Sequence, residues 1–201
     1  RGCSITIPHK IDIIPLLDKT SENVREMGAC NTLYRDGEKI CGENTDVIGF
    51  TAPLRKRSLS PETRVLVLGA GGVSRAAIAG LRRLGLANIT LTNRRKERAE
   101  ALCNEFGLLC APWEERGDVP ADLIINTTPL GMTGAQEHET PYPRAFQDNG
   151  IAYDLIYTPF QTRFLRDAAA AGWETVSGLD MFIGQGDAQF HLWGTIFRKK
   201  P

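Results

Sequence analysis

No apolar run in this 201-residue chain is long enough to cross a bilayer as a helix, and no secretory leader stands at its start. Those two absences set aside an integral membrane protein and leave a soluble cytoplasmic one as the expectation. An excess of charge is missing too: 24 Lys and Arg balance 24 Asp and Glu, so no basic field argues for nucleic acid or an acidic membrane surface as partner. Histidine is scarce, and no zinc-ligand spacing links His9, His138 and His191. The five cysteines, Cys3, Cys30, Cys41, Cys103 and Cys110, are odd in number and scattered, with no C-x-x-C pair. A disulfide framework or metal centre is therefore not expected, and buried reduced thiols are. Repeats and low-complexity segments are absent. So is an initiator Met, since Arg1-Gly2 runs at once into Cys3-Ser4-Ile5-Thr6-Ile7. The expectation is a piece of a longer or multidomain polypeptide.

What is present is more telling. The apolar run Val65-Leu66-Val67-Leu68 leads directly into Gly69-Ala70-Gly71-Gly72-Val73-Ser74. That pattern reads as a buried strand turning sharply into a helix, with small residues admitting a pyrophosphate to the backbone N–H groups at the helix start. The next apolar stretch ends in Asn93-Arg94-Arg95, where a dinucleotide fold recognises the adenosine ribose. An acidic residue there would accept from the ribose hydroxyls, whereas arginines fork onto a 2′-phosphate. The cofactor predicted is NADP rather than NAD. Arg98, four residues after Arg94, shares its face if a helix has begun there, which favours a common anionic target.

From Arg64 onward strands and helices alternate, as in βαβ units around a parallel sheet. Strands are predicted at Ile89 to Thr92, Leu123 to Ile125 and Ile151 to Ile156. Helices carry Ala77, Leu81 and Leu84, then Ala99, Leu102, Cys103 and Phe106, with Gly85 and Gly107 as their stops. The last helices are expected over Gln161 to Ala171 and Leu179 to Phe197. Before Arg64 the pattern differs. A strand from Ser4 to Ile7 stops at Pro8, and a helix follows with Ile11, Ile14 and Leu17 on one face. Ser21 is a helix cap, and Asp36-Gly37 marks a hairpin. The fold class is α/β: a Rossmann-like NADP-binding domain over 47–177 and a smaller split α/β substrate domain. The latter takes 1–46 and the returning helix of 178–201.

Several residues are candidates for chemistry. Lys10 stands at the head of the helix predicted after Pro8, where the macrodipole disfavours a cation. A lone lysine is nonetheless more often solvated than catalytic. Asp46, in Asn44-Thr45-Asp46, is a candidate carboxylate or simply part of a helix cap. Asn31-Thr32 reads equally as turn residues. Asn126-Thr127-Thr128-Pro129 ends a predicted strand, where ligands bind in open α/β sheets, and Tyr157 shares that geometry. Turn formation before Pro129 and Pro159 is the competing reading. Gln185 lies on an apolar helix face and needs a partner, structural or bound. His191 is expected in the core, and His9 and His138 at the surface.

Taken in order, these segments resemble the shikimate dehydrogenase family. The residues that carry the resemblance are Ser4 to Lys10, Asn31-Thr32, Asn44-Thr45-Asp46, Gly69 to Gly72, Asn93-Arg94-Arg95, Asn126 to Pro129, Tyr153-Asp154-Leu155-Ile156-Tyr157 and Gln185. The resemblance implies NADP-dependent, reversible reduction of 3-dehydroshikimate to shikimate in aromatic amino-acid biosynthesis. It implies Lys10 and Asp46 as the catalytic pair, and Thr6, Asn31, Tyr157 and Gln185 as substrate contacts. Gly69, Ala70, Gly71, Gly72, Val73, Ser74, Thr127 and Thr128 would line the coenzyme, with Asn93, Arg94 and Arg98 clasping its 2′-phosphate. Arg95 stands where the family more often has a small hydroxyl residue. Ser4 stands where it has Asn, a shortening expected to alter a substrate-facing hydrogen bond. The family also has an amino-terminal segment whose paired serines bind the substrate carboxylate. A chain beginning at Arg1 would be expected to be weak or inactive. Two other functions are weighed: a quinate/shikimate dehydrogenase of quinate catabolism, and a non-enzymatic regulator or sensor of dehydrogenase descent. Retention of Lys10, Asp46 and the arginines favours the enzyme.

Overall fold

The computed structural model describes residues 2–6 and 8–198. Arg1, Ile7 and residues 199–201 lie outside the described residues; Ile7 belonged to the predicted first strand, and Arg1 and 199–201 to the 1–46 and 178–201 segments of the predicted substrate domain. The chain builds two sheets. The first uses β1 (Gly2–Ser4), β2 (Lys19–Thr20), β3 (Thr32–Asp36) and β4 (Lys39–Glu43), in the order β1-β3-β4-β2, with α1 (Glu22–Met27) alongside. β3 and β4 form the predicted hairpin, with Asp36 opposite Lys39 so that Gly37-Glu38 makes the two-residue turn. Ser21 caps α1 by accepting from the Val24 N–H at 3.2 Å.

α2 (Asp46–Leu54) leads to the second sheet, made of β5 (Val65–Leu68), β6 (Ile89–Thr92), β7 (Leu109–Cys110), β8 (Leu123–Asn126), β9 (Ile151–Asp154) and β10 (Glu174–Val176). These strands are all parallel, in the order β10-β9-β8-β5-β6-β7. The helices are α3 (Gly72–Arg83), α4 (Lys96–Phe106), α5 (Arg163–Ala170) and α6 (Gly178–Arg198). Strand order reverses between β5 and β8, so the glycine turn after β5 and the threonines after β8 flank the switch point. Both faces of this sheet are covered. Val65, Val67, Ile125 and Tyr153 pack with Ile78 and Leu81, while Leu66, Leu68, Ile124 and Ala152 pack with Phe164 and Trp173. Burial on two sides is why these strands read as unbroken apolar runs.

α2 ties the two sheets together. It packs against α3 and along α6, and α6 reaches β3. A Cβ on Gly49 would stand 2.4 Å from the Met181 carbonyl oxygen, so only glycine lets α2 and α6 approach this closely.

The structure corrects several expectations. No α-helix follows Pro8: the segment is a run of turns ending in a 3₁₀ turn at Ile14–Leu16, with Pro15 in its first positions. Pro15 has no N–H to donate, and the hydrogen bonds here close single turns, such as His9 N–H to the Thr6 carbonyl. Lys10 is thus not at a helix head, and the dipole argument for it falls. β1 ends at Ser4, with Ile5 and Thr6 outside it, and β9 ends at Asp154. β2, β7 and β10, of two or three residues, escaped prediction because so few residues carry no period. His191 is exposed, because it lies two residues past the buried Gln189 and therefore on the opposite side of α6; it pairs with Asp187. Cys30, Cys41 and Cys103 are buried free thiols, but Cys3 and Cys110 are exposed. No helix among the described residues is long and apolar enough to cross a membrane.

Candidate active site

The first cluster grows from the loop between β4 and α2. Thr45 stands at the cap position of α2 without a capping side-chain bond, and the Asn44 side-chain oxygen accepts from the Asp46 N–H at 3.0 Å. That bond satisfies the first N–H of the helix from outside it and leaves the Asp46 carboxylate for other work. Lys10 is brought opposite by its own backbone, whose carbonyl accepts from the Cys30 N–H at 2.7 Å. The Lys10 Nζ then donates to Asp46 Oδ2 at 2.7 Å, with the side chains 28% and 15% exposed. The pair is shielded enough for its charges to matter and open enough to meet a solute. Asn31, buried at the start of β3, donates from Nδ2 to the other Asp46 oxygen at 2.8 Å.

The remaining substrate-side candidates surround this pair to different degrees. Gln185 on α6 is half-buried, its Oε1 3.5 Å from the Thr45 hydroxyl. Thr6 is exposed and joins the Lys10 turn through its carbonyl. Tyr157 is 54% exposed, its ring stacked on Phe182 of α6 at 5.2 Å. Ser4 does not face the substrate side freely: its hydroxyl donates to Gln189 Oε1 at 2.9 Å. Gln189 is a buried participant that the sequence did not single out, and Thr32 and Thr45, present in the Asn31-Thr32 and Asn44-Thr45-Asp46 segments, were given no role at the site. Their polar side chains at core-facing positions were the available signal.

The second cluster lies at the carboxyl ends of β5, β6 and β8. A cleft of about 220 Å³ there is lined by Gly69, Ala70, Gly71, Asn93, Arg94 and Arg98, with Thr127 and Thr128 opposite. Arg95, Trp113 and Gln136 also line it; the last two carry no local motif and were not anticipated. Gly69 has φ +112°. A Cβ on it would meet Thr127 Oγ1 at 2.5 Å, so the turn demands glycine on both counts.

Ser74 is fully buried behind the turn rather than facing the cleft. Its hydroxyl accepts from the Gly71 N–H at 3.0 Å and meets Thr127 Oγ1 at 2.8 Å. Thr127 in turn donates to the Leu68 carbonyl at 2.8 Å, so Ser74 is the donor to Thr127. Both hydroxyls brace the turn. Gly72 and Val73, in the first turn of α3, also stand outside the cleft lining. Their N–H groups have no acceptor among the described residues. Asn93 accepts from the Ala70 N–H at 3.3 Å and donates to the Arg95 carbonyl at 2.9 Å, joining the glycine turn to the arginine loop. The side chains of Arg94, Arg95 and Arg98 are exposed and have no carboxylate partner among the described residues.

Beneath the threonines, Asn126 donates to Asp154 Oδ1 at 3.0 Å and accepts from Thr128. Asp154 is fully buried and also accepts from the Ile156 N–H and the Thr162 hydroxyl. Burial pushes its carboxyl up to about 6, against three donors that favour the charged form.

This chain's sequence matches the family model for the shikimate dehydrogenase substrate binding domain over residues 1–33, and that for shikimate / quinate 5-dehydrogenase over 54–115. A shikimate dehydrogenase (NADP(+)) of Pelobacter propionicus is 55% identical over 196 residues, covering 96% of this chain and 71% of that protein. The shikimate 5-dehydrogenase of Thermus thermophilus, solved in complex with NADP(H) and shikimate, is 38% identical. It superposes with a TM-score of 0.85 over 96% of this chain and 72% of its own. The quinate dehydrogenase of Corynebacterium glutamicum in complex with NAD is 31% identical, with a TM-score of 0.84 over 96% of this chain and 72% of that one. The sequence, the doubly wound sheet and these relatives agree, and the chain belongs to the shikimate dehydrogenase family.

Proposed function

We propose that the chain is an NADP-dependent shikimate dehydrogenase, reversibly reducing 3-dehydroshikimate to shikimate in aromatic amino-acid biosynthesis. The observation that carries this reading is the half-buried Lys10–Asp46 pair, held 2.7 Å apart. An ammonium so placed stabilises an alkoxide developing at the substrate C3 oxygen and exchanges a proton with it. Asp46 holds Lys10 and polarises the same hydroxyl. Thr6, Asn31, Tyr157 and Gln185 bind the polyhydroxylated substrate.

NADP fits the second cluster. Gly71 and Gly72 leave open space where side chains would stand, and the Gly72 and Val73 N–H groups are free for a pyrophosphate. Arg94 and Arg98, on the loop and helix start that follow Asn93, answer the 2′-phosphate. When bound, the reduced coenzyme supplies the hydride. The complex of the Thermus relative with NADP(H) and shikimate supports both ligands.

The substrate domain of this reading takes 1–46 and the helix of 178–201, and the coenzyme domain 47–177. A cytoplasmic setting belongs to the same reading. So does membership of a longer polypeptide, supported by a chorismate mutase/shikimate 5-dehydrogenase fusion protein of Clostridium acetobutylicum that is 34% identical.

Initial rates with shikimate and quinate, each with NADP and NAD, test the proposal. Preference for shikimate with NADP is expected. Preference for quinate with NAD would replace it with the activity named for the Corynebacterium relative, and tight binding without turnover would make the chain a sensor.

A further inference from the structure

We propose that Thr32 and Gln189 are positioning residues which, through Asn31, fix the orientation of the Asp46 carboxylate. The inference rests on Lys10 and Asp46 being the acid–base pair.

The argument is one of donors and acceptors. Gln189 projects from α6 into the first sheet, where its Nε2 donates to Thr32 Oγ1 at 2.9 Å and to the Asn31 carbonyl at 3.3 Å. With that lone pair occupied, the single proton of the Thr32 hydroxyl goes to Asn31 Oδ1 at 2.7 Å. The Thr45 N–H donates to the same oxygen at 2.8 Å. With the Thr45 hydroxyl also 3.3 Å from Oδ1, these donors leave only one end of the Asn31 amide for Asp46, and Nδ2 donates to it at 2.8 Å. Reversing the amide would set its oxygen against a carboxylate oxygen and lose the short bonds from Thr32 and Thr45. Thr32, Asn31 and Gln189 are 0%, 2% and 5% exposed, so water does not compensate a broken link. Gln189 is itself held by the Ser4 hydroxyl on its Oε1. The serine that replaces the family's usual asparagine thus secures the far end of the relay.

The test uses Thr32→Val, which keeps the branched shape and deletes the hydroxyl, Thr32→Ser, which restores it, and Gln189→Leu. Losing one link should lower kcat about five-fold in Thr32→Val, with Thr32→Ser returning to within about two-fold of wild type. Because Gln189 acts through Thr32, Gln189→Leu should lower kcat in the wild-type background and add little once Thr32→Val is already in place. Nitrogen-15 spectra of the selectively labelled Asn31 side chain give a readout independent of turnover. Its amide protons should be slow to exchange in wild type and fast in Thr32→Val and in Gln189→Leu. Should Thr32→Val fail to fold, the comparison of wild type with Gln189→Leu decides. Wild-type exchange in the variants, multiplicative losses in kcat, or failure of serine to rescue would overturn the relay. A wild-type protein without turnover but with a protected Asn31 amide would instead remove the proposed function and leave the relay standing.

Discussion

Lys10 and Asp46, 36 positions apart in the chain, meet at 2.7 Å because one turn and one helix start are each anchored by backbone hydrogen bonds. Neither side chain reaches its partner by flexibility alone. Replacing either should leave the fold intact while removing proton transfer and charge stabilisation. Lys10→Met and Asp46→Asn are expected to lower kcat by about 10² to 10⁴. Coenzyme affinity, measured by quenching of protein fluorescence, should stay within about two-fold of wild type, since the coenzyme cleft is built from other residues.

In the proposed reading Arg94 and Arg98, which line the cleft, carry the choice of coenzyme. Each charge-assisted contact to a phosphate contributes about 1.5–3 kcal/mol, so Arg94→Ala and Arg98→Ala should each raise the KM for NADP by about ten-fold or more. The KM for NAD, which lacks that phosphate, should barely move. A ratio of KM values that stays constant across these variants would contradict the assignment.

Gly69→Ala should be destabilising as well as inhibitory. The new methyl would face Thr127 Oγ1 at 2.5 Å in a backbone with φ +112°. Loss of about 2 kcal/mol or more in urea unfolding is expected, with weakened coenzyme binding. Ser74→Ala, which removes only the brace behind the turn, should do less.

Asp154 gives stability a readable pH dependence. Its carboxyl holds a proton up to about 6 in the folded chain, against an ordinary value of 3.8. Between those values the folded state binds more protons than the unfolded one, so this group's contribution is full below pH 3.8 and is lost as pH rises through 6. Chemical denaturation of wild type and Asp154→Asn from pH 4 to 8 should show wild type gaining relative stability below about pH 6, by up to about 3 kcal/mol. Parallel curves would contradict this.

The parallel sheet was legible because β5, β8 and β9 are buried on both faces and read as apolar runs broken by glycine turns. The first sheet was harder. Its β2 has two residues, and the segment around Lys10 carries helical spacing at Ile11, Ile14 and Leu17 while Pro15 holds it in turns. At the site, motifs pointed to the candidate ligand contacts but not to the residues that hold them. Ser74 sits within the glycine motif yet braces the turn from behind. Gln189 stands in no motif, and the Asn31-Thr32 motif gave Thr32 no role, because a buried hydrogen-bond partner is defined by what lies across space from it.

The contacts of Gln189 with Ser4, Asn31 and Thr32 span 157 to 185 positions of the chain. The polar core beside Asp46 therefore cannot close until the segment carrying Gln189 has left the ribosome. Until then the polar groups of Asn31 and Thr32 stay hydrated, and their closure is long-range and slow. Removing α6 from Gln189 onward would strike first at Ser4, Asn31 and Thr32, at least 157 positions away in the chain.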